Sequence, residues 1–273
     1  MSTVFKIAEY LNYYLRAKTI YSAHSPFVYD FINSVLDTSK VYYAFQTIDQ
    51  IRILNERDGR EIEITDLGAG SHTNNSRTKT IKSIANSAVS TKWQGKILFN
   101  LMQHYKPKHV LELGTSLGIS SLYLALGNLG SSVITIEGDP NVASIARENF
   151  KRAKVENVLL KIGNFDDILP ELLASQQIDL SFLDGNHTEE ATIRYFDLVA
   201  SQASNNSIVI LDDIHWSKGM QSAWDYARKN TKYKLSIDLY YFGILIQDER
   251  LIEKLDISLI DKKLKPFSKG VFG

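Results

Sequence analysis

The chain has 273 residues, 44% of them hydrophobic and 23% charged, which is enough for a sizeable core in one large domain or in one domain with an appendage. Lysine plus arginine equals aspartate plus glutamate at 31 each, so no bulk charge draws the chain to nucleic acid or to an acidic membrane. Cysteine is absent, which excludes disulfides, thiolate metal sites and a cysteine nucleophile.

The opening stretch, MSTVFKIAEYLNYYLRAKTIYSA, spreads Lys, Glu and Arg among apolar residues at helical spacing. It has neither the continuous apolar run nor the small-residue cleavage site of a signal peptide. No segment approaches the roughly 20 apolar residues of a membrane span. A cytoplasmic protein without membrane or nucleic-acid partners is expected, and a homodimer is left open. From Val4 to Leu36 the pattern is helical, broken at SAHSPF, where Pro26 can start a new helix after Ser25. A third helix over about Tyr42 to Glu56 carries Phe45, Ile48, Ile51 and Leu54 at three-residue steps.

EIEITDLGAGSH then reads as a strand running into a glycine turn at Gly68 and Gly70. The polar residues that follow offer no second apolar strand ending in an acid. This turn is therefore given no cofactor; it serves as a flap over a site or as a plain surface turn. Lys96 to Tyr105 is an amphipathic helix ended before Pro107.

Beyond Pro107 short apolar strands (HVLELG, SVITIEGD, NVLLKIG, IDLSFLDG, SIVILDDI) alternate with segments of helical length at Ser120–Leu129, Pro140–Ala153, Asp166–Ser175 and Glu189–Ser201. Such alternation implies right-handed crossovers and a parallel sheet covered on both faces. YKLSIDLYYFGILIQ leaves no room for a helix between its two strands, so it closes the sheet as an antiparallel hairpin. The predicted fold is α/β: a doubly wound, mostly parallel seven-stranded sheet with a closing antiparallel hairpin, plus an N-terminal helical region. The predicted organisation is an acceptor-side cap over 1–90, a Rossmann-like domain over 91–250 and a C-terminal tail over 251–273, whose closing LKPFSKGVFG is loosely held.

Ligands of such sheets sit beyond the carboxyl ends of the strands. Glu112, Gly114 and Gly118 occupy that place after the first strand of the alternation, with G-x-x-x-G spacing rather than the dinucleotide G-x-G-x-x-G. The second strand ends in Glu137, an acid suited to the two hydroxyls of a ribose, or else a plain cap on a strand end. Together they favour an adenosyl-ribose site. SFLDGNH places Asp184 at a strand end and His187 three residues on, and VILDDIHW places Asp212 and Asp213 at the next. Three converging carboxylates repel unless a cation sits among them, and oxygen ligands suit Mg²⁺. Alternatively one Asp faces the ligand while the others cap helices. His187 is a candidate general base at neutral pH, or a hydrogen-bond donor to Asp184. His24, His72, His104 and His109 are taken as structural.

From Lys92 to Gln247 these residues resemble the class I adenosylmethionine-dependent methyltransferases, and within them the catechol and caffeoyl-CoA type O-methyltransferases. VLELGTSLGISSLYLA is similar to the first motif of that family, TIEGDP to its ribose-binding acid and GNFDDILPEL to its loop at the adenine end. The resemblance implies that Glu112, Gly114, Ser116, Gly118 and Ser120 line the methionine part of S-adenosyl-L-methionine, that Glu137 holds the ribose, and that Gly163 and Phe165 lie by the adenine. It places Asp184, Asp212 and Asp213 at the metal-ligand positions, with Asp184 also on the cofactor side. His187 falls where catechol-type enzymes carry a lysine, which resembles the D-G-x-H form of metal-dependent sugar and natural-product O-methyltransferases, whose histidine is the base. The expected reaction is O-methylation of a small-molecule hydroxyl assisted by a divalent metal. The alternatives are a nicotinamide-dependent oxidoreductase on the same sheet and a cofactor-binding module without catalysis.

Overall fold

The computed structural model describes residues 3–64, 77–87 and 89–265. The N-terminal segment forms α1 (Thr3–Arg16), one 3-10 turn and α2 (Pro26–Phe31). Pro26 stands at the start of α2, where its fixed φ suits the helix and its missing N–H would have had no partner. One turn of π-helix, Ile32–Leu36, follows. In α3 (Tyr43–Arg57) Phe45, Ile48 and Ile51 are buried, but Leu54 is 52% exposed and Asn55 is buried instead. Helical residues advance about 100° each, so three steps of three residues carry Leu54 to the side opposite Phe45. Asn55, seven residues beyond Ile48, returns to the inner face, where its side-chain oxygen accepts from Asn149 Nδ2 at 3.3 Å.

Two compact units make up the chain: 38–179, and 1–37 together with 180–273. In the first, β1 (Glu61–Ile64) pairs antiparallel with β2 (Arg77–Thr80). Gly68 and Gly70 lie outside the described residues. The polar RTKT of β2 gave no strand signal. It needs none, because Ile62 and Ile64 of β1 supply the apolar side chains that pack on Ile81, Ile84, Leu117, Val142 and Ile145. After α4 (Ile81–Ser87) comes α5 (Lys92–Tyr105), which starts four residues before the amphipathic pattern suggests. The cause is a capping box: Thr91 Oγ1 accepts from the Gln94 N–H at 3.2 Å, and Gln94 Oε1 accepts from the Thr91 N–H at 2.8 Å. Lys106, left-handed at φ 49°, ends α5 just before Pro107.

Strand and helix then alternate: β3 (His109–Leu113), α6 (Ile119–Gly127), β4 (Ser132–Glu137), α7 (Pro140–Ala153), β5 (Val158–Ile162) and α8 (Phe165–Ser175). β3, β4 and β5 are parallel neighbours, with Glu112 beside Thr135 in register. β3 after its first residue, and β4 between its first residue and half-buried Glu137, are buried on both faces, as expected where helices cover both sides.

Past β6 (Ile178–Leu183) and α9 (Glu189–Ser201), the second unit holds β7 (Ala203–Asp212), α10 (Lys218–Ala227), β8 (Leu235–Asp238), β9 (Phe242–Ile246) and β10 (Leu255–Ser258). β9 runs antiparallel to both β7 and β8, which is the closing hairpin. The mixed, mostly parallel sheet has eight strands rather than seven. The extra one is β10, which pairs parallel with β8. Its residues LDIS lack the long apolar run of a central strand because it is an edge, half-exposed along its length.

Candidate active site

After β3 the chain turns at Gly114 and Gly118, with φ of 96° and 78°, and enters α6. A Cβ on Gly118 would stand 2.5 Å from Phe150 Cε1 and 3.3 Å from Ala146 Cβ, so only glycine lets α6 start this close to α7. The amides of Gly114 and Thr115 donate to the Ile136 carbonyl at 3.0 and 3.3 Å, tying the turn to β4.

Glu112 is wholly buried. Burial pushes its carboxyl up to about 7, against the hydroxyls of Ser120, Ser121 and Thr135, which pull it down. Ser121 donates to Oε2, and Oε1 has no hydrogen-bond partner among the described residues. Ser120 is 5% exposed, with its hydroxyl turned to Glu112. Glu137, at the end of β4, accepts from the Ser116 N–H at 2.7 Å and from the Asp139 N–H at 3.0 Å. Burial raises its pKa against those two bonds. Asp139 in turn caps α7, accepting from the Asn141 and Val142 amides at 2.7 and 2.8 Å. The Gly163 N–H donates to the Glu137 carbonyl at 2.9 Å, and Phe165, half-buried, opens α8.

The second unit carries the other candidates. Asp184 follows β6, and His187 Nε2 stands 3.5 Å from Asp184 Oδ1, with the imidazole about one-third exposed at 34%. Partial burial holds His187 below the usual imidazole value, outweighing the opposite pull of Asp213. Between them Asn186 is left-handed at φ 52°, and its buried Oδ1 has no hydrogen-bond partner among the described residues. Asp212 is the last residue of β7 and is buried; Asp213 follows with φ 54°.

Among the described residues no group of three or more His, Asp or Glu could hold a metal ion. The donor set expected at Asp184, Asp212 and Asp213 therefore does not fit a cation as arranged. Asp213 leaves the strand through a left-handed residue at φ 54°, and Asp184 leans to His187 at 3.5 Å.

His215, assigned no role from sequence, is buried with Nε2 3.0 Å from Asp238 Oδ2 and Nδ1 3.3 Å from Gln221 Nε2. An amide nitrogen can only donate, so Nδ1 accepts and Nε2 carries the proton toward Asp238. The ring stacks on Tyr240 at 5.2 Å, and Tyr240 meets Tyr10 and Tyr13 of α1 at 5.0 and 5.4 Å. No local signal could have found this pair, since Asp238 lies on a strand 23 residues away. Thr135 did leave one, a lone polar residue inside the apolar VITI.

An α/β sheet of this order, with a left-handed glycine turn after β3 and an acid ending β4, is the class I methyltransferase fold. Residues 111–214 match the family described as Methyltransferase domain. The chain is 33% identical over 142 residues to a catechol O-methyltransferase of Mycobacterium tuberculosis, covering 51% of this chain and 63% of that protein. It is 30% identical over 125 residues to one of Niastella koreensis, covering 44% and 56%. The matches thus span about three-fifths of these curated relatives. An O-methyltransferase of Bacillus cereus, solved in complex with SAH, superposes with a TM-score of 0.55 at 20% identity, over 80% of this chain and 95% of that one. Over about half of its length the chain is thus similar in sequence to catechol O-methyltransferases, and residues 111–214 match a methyltransferase domain. Among the described residues no helix is long and apolar enough to cross a membrane.

Proposed function

We propose that the chain transfers a methyl group from S-adenosylmethionine to a hydroxyl oxygen of a small molecule, with His187 taking the proton. The observation that carries the cofactor half is Glu112. A wholly buried carboxylate oxygen without a donor is costly, and a ligand that brings a cationic donor relieves that cost. The ammonium of the methionine part is such a donor. Glu137 accepts from the amides of Ser116 and Asp139 and is also pulled by the Gly138 amide, which leaves carboxylate acceptor capacity for a ribose hydroxyl. Gly114 and Gly118 bring backbone close without side-chain bulk, Ser116 is assigned with them to the methionine part, and Gly163 and Phe165 are assigned to the adenine. Two of the relatives bear the name catechol O-methyltransferase, which supports a small hydroxylated acceptor.

Bound adenosylmethionine supplies a methyl group on a sulfonium, which needs little covalent help. The acceptor oxygen forms the new O–C bond as the C–S bond breaks, and the hydroxyl proton passes to His187. Its depressed pKa keeps the imidazole neutral and able to accept at pH 7. Asp184, within 3.5 Å, orients the ring and favours the imidazolium that forms. Orientation of the two reactants can supply ~7–11 kcal/mol of the barrier.

A divalent cation would use Asp184, Asp212 and Asp213. Because those side chains are not gathered, the proposal routes no step through a metal. Calorimetric titration with S-adenosylhomocysteine and with NAD tests the cofactor half: the first should bind and the second should not. Tight NAD binding would favour the oxidoreductase alternative.

A further inference from the structure

On β8 and β10 one sheet face is polar where covered faces are ordinarily apolar. The two strands pair in parallel, Ser236 beside Asp256 and Asp238 beside Ser258. Side chains alternate along a strand, so these four share a face, while Leu235 and Ile237, both at 0% exposure, fill the other. Against the polar face lies a cavity of about 490 Å³, whose remaining wall comes from α1, through Glu9 and Arg16, and from α10, through Gln221.

Two independent observations mark this cavity as a ligand site. Ser236 is 2% exposed, and its hydroxyl oxygen makes no hydrogen bond with any described group. Asp256, on the neighbouring strand, has no ion-pair partner among the described residues. Adjacent strands lie ~4.8 Å apart and same-face residues of one strand ~6.7 Å apart. Ser236 Oγ and the carboxylates of Asp256 and Asp238 therefore bound a spot with three acceptors. Asp238 already receives the His215 ring and the Tyr240 N–H, but each oxygen keeps a second lone pair. Three convergent acceptors are the complement of an ammonium group, which has three donors and no acceptor.

Charge restricts the rest of the ligand. Arg228 of the lining is held by Asp225 at 2.8 Å and is not available to Asp256. Arg16 and Lys18 are exposed and line the same cavity, so a second cation on the ligand would be repelled. Hydroxyl groups would instead find the amides of Asn12 and Gln221 and the hydroxyl of Ser258.

We propose that this cavity binds a small hydroxylated primary amine, at residues that the methyl-transfer reading does not use. The test is isothermal titration of the full chain with 2-aminoethanol, 2-amino-1,3-propanediol and glucosamine. Ethylene glycol, glycerol and glucose serve as amine-free counterparts, and 1,4-diaminobutane as the dication. At least one hydroxylated amine should bind saturably at one site, with its amine-free counterpart and the diamine about tenfold weaker or worse, as expected for hydrogen bonds to a charged group. Asp256→Asn, on an exposed residue, should weaken that binding by a similar factor. Ser236→Ala should weaken it too, while leaving the ligand-free melting temperature unchanged or raised, because an unpaired buried hydroxyl is removed. Saturable binding by none of the three amines, equal binding of the amine-free counterparts, or unchanged affinity in both variants overturns the proposal. So does a ligand-free Ser236→Ala protein that melts several degrees lower, since the hydroxyl would then have had a partner.

Discussion

The buried carboxyl of Glu112 makes stability depend on pH in a direction opposite to that of most acids. Burial moves it from an ordinary 4.5 to about 7. The folded chain therefore holds this proton more tightly than the unfolded chain. Its stabilising contribution is complete below pH 4.5 and is lost as pH rises to and through 7. At about 1.4 kcal/mol per pH unit, the full displacement corresponds to about 3 kcal/mol. Part of that is already lost at pH 5, so about 2–3 kcal/mol remains between pH 5 and pH 8. Glu112→Gln keeps the shape and removes the titration. Urea unfolding of both proteins at pH 5, 6, 7 and 8 should show the wild type losing about 2–3 kcal/mol relative to the variant over that range, most steeply between pH 5 and 7. Parallel stability curves would mean that Glu112 ionises in the folded chain as it does in water, and the argument from burial would fail. The same group should make S-adenosylhomocysteine affinity rise about tenfold from pH 6 to pH 8 in wild type and stay flat in the variant, since only the carboxylate accepts from an ammonium without giving up a proton.

Glu137→Ala should weaken S-adenosylhomocysteine binding by ~1.5–3 kcal/mol in calorimetry, the range for hydrogen bonds to a charged group; an unaffected variant would remove the ribose assignment. His187→Ala should lose ~10²–10⁴ in turnover with cofactor affinity kept, and the acidic limb of the pH–rate profile, below the ordinary imidazole pKa, should vanish. Activity within a few-fold of wild type would take His187 out of the mechanism. Gly118→Ala combines a left-handed backbone with a Cβ 2.5 Å from Phe150, and should cost about 2–4 kcal/mol in urea unfolding. Methyl transfer in excess chelator should stay within a few-fold of the untreated rate; a loss restored by Mg²⁺ would show that Asp184, Asp212 and Asp213 gather around a cation during turnover.

Much of the fold was legible in the sequence because parallel strands buried on both faces must be continuous apolar runs, and the helices between them must fit the remaining lengths. Pro140–Ala153 and Glu189–Ser201 end where composition alone placed them. The acids at strand ends could be read for the same reason: a carboxylate that breaks an apolar run stands out. What stayed hidden was whatever depends on a neighbour supplied from elsewhere in the chain. β2 is polar because β1 brings the apolar side chains, and β10 is short because an edge strand needs only one partner. The state of Glu112 was equally hidden. Its residue type said only that it could be charged, while the pairing that sets Thr135 beside it and closes the sheet around it decides that its proton is held to near neutral pH. Three aspartates close in sequence to two strand ends suggested a metal, but whether their side chains gather around one depends on tertiary partners that the sequence does not name. The same holds for His215, whose role beside Asp238 exists only once β8 has packed against the loop after β7.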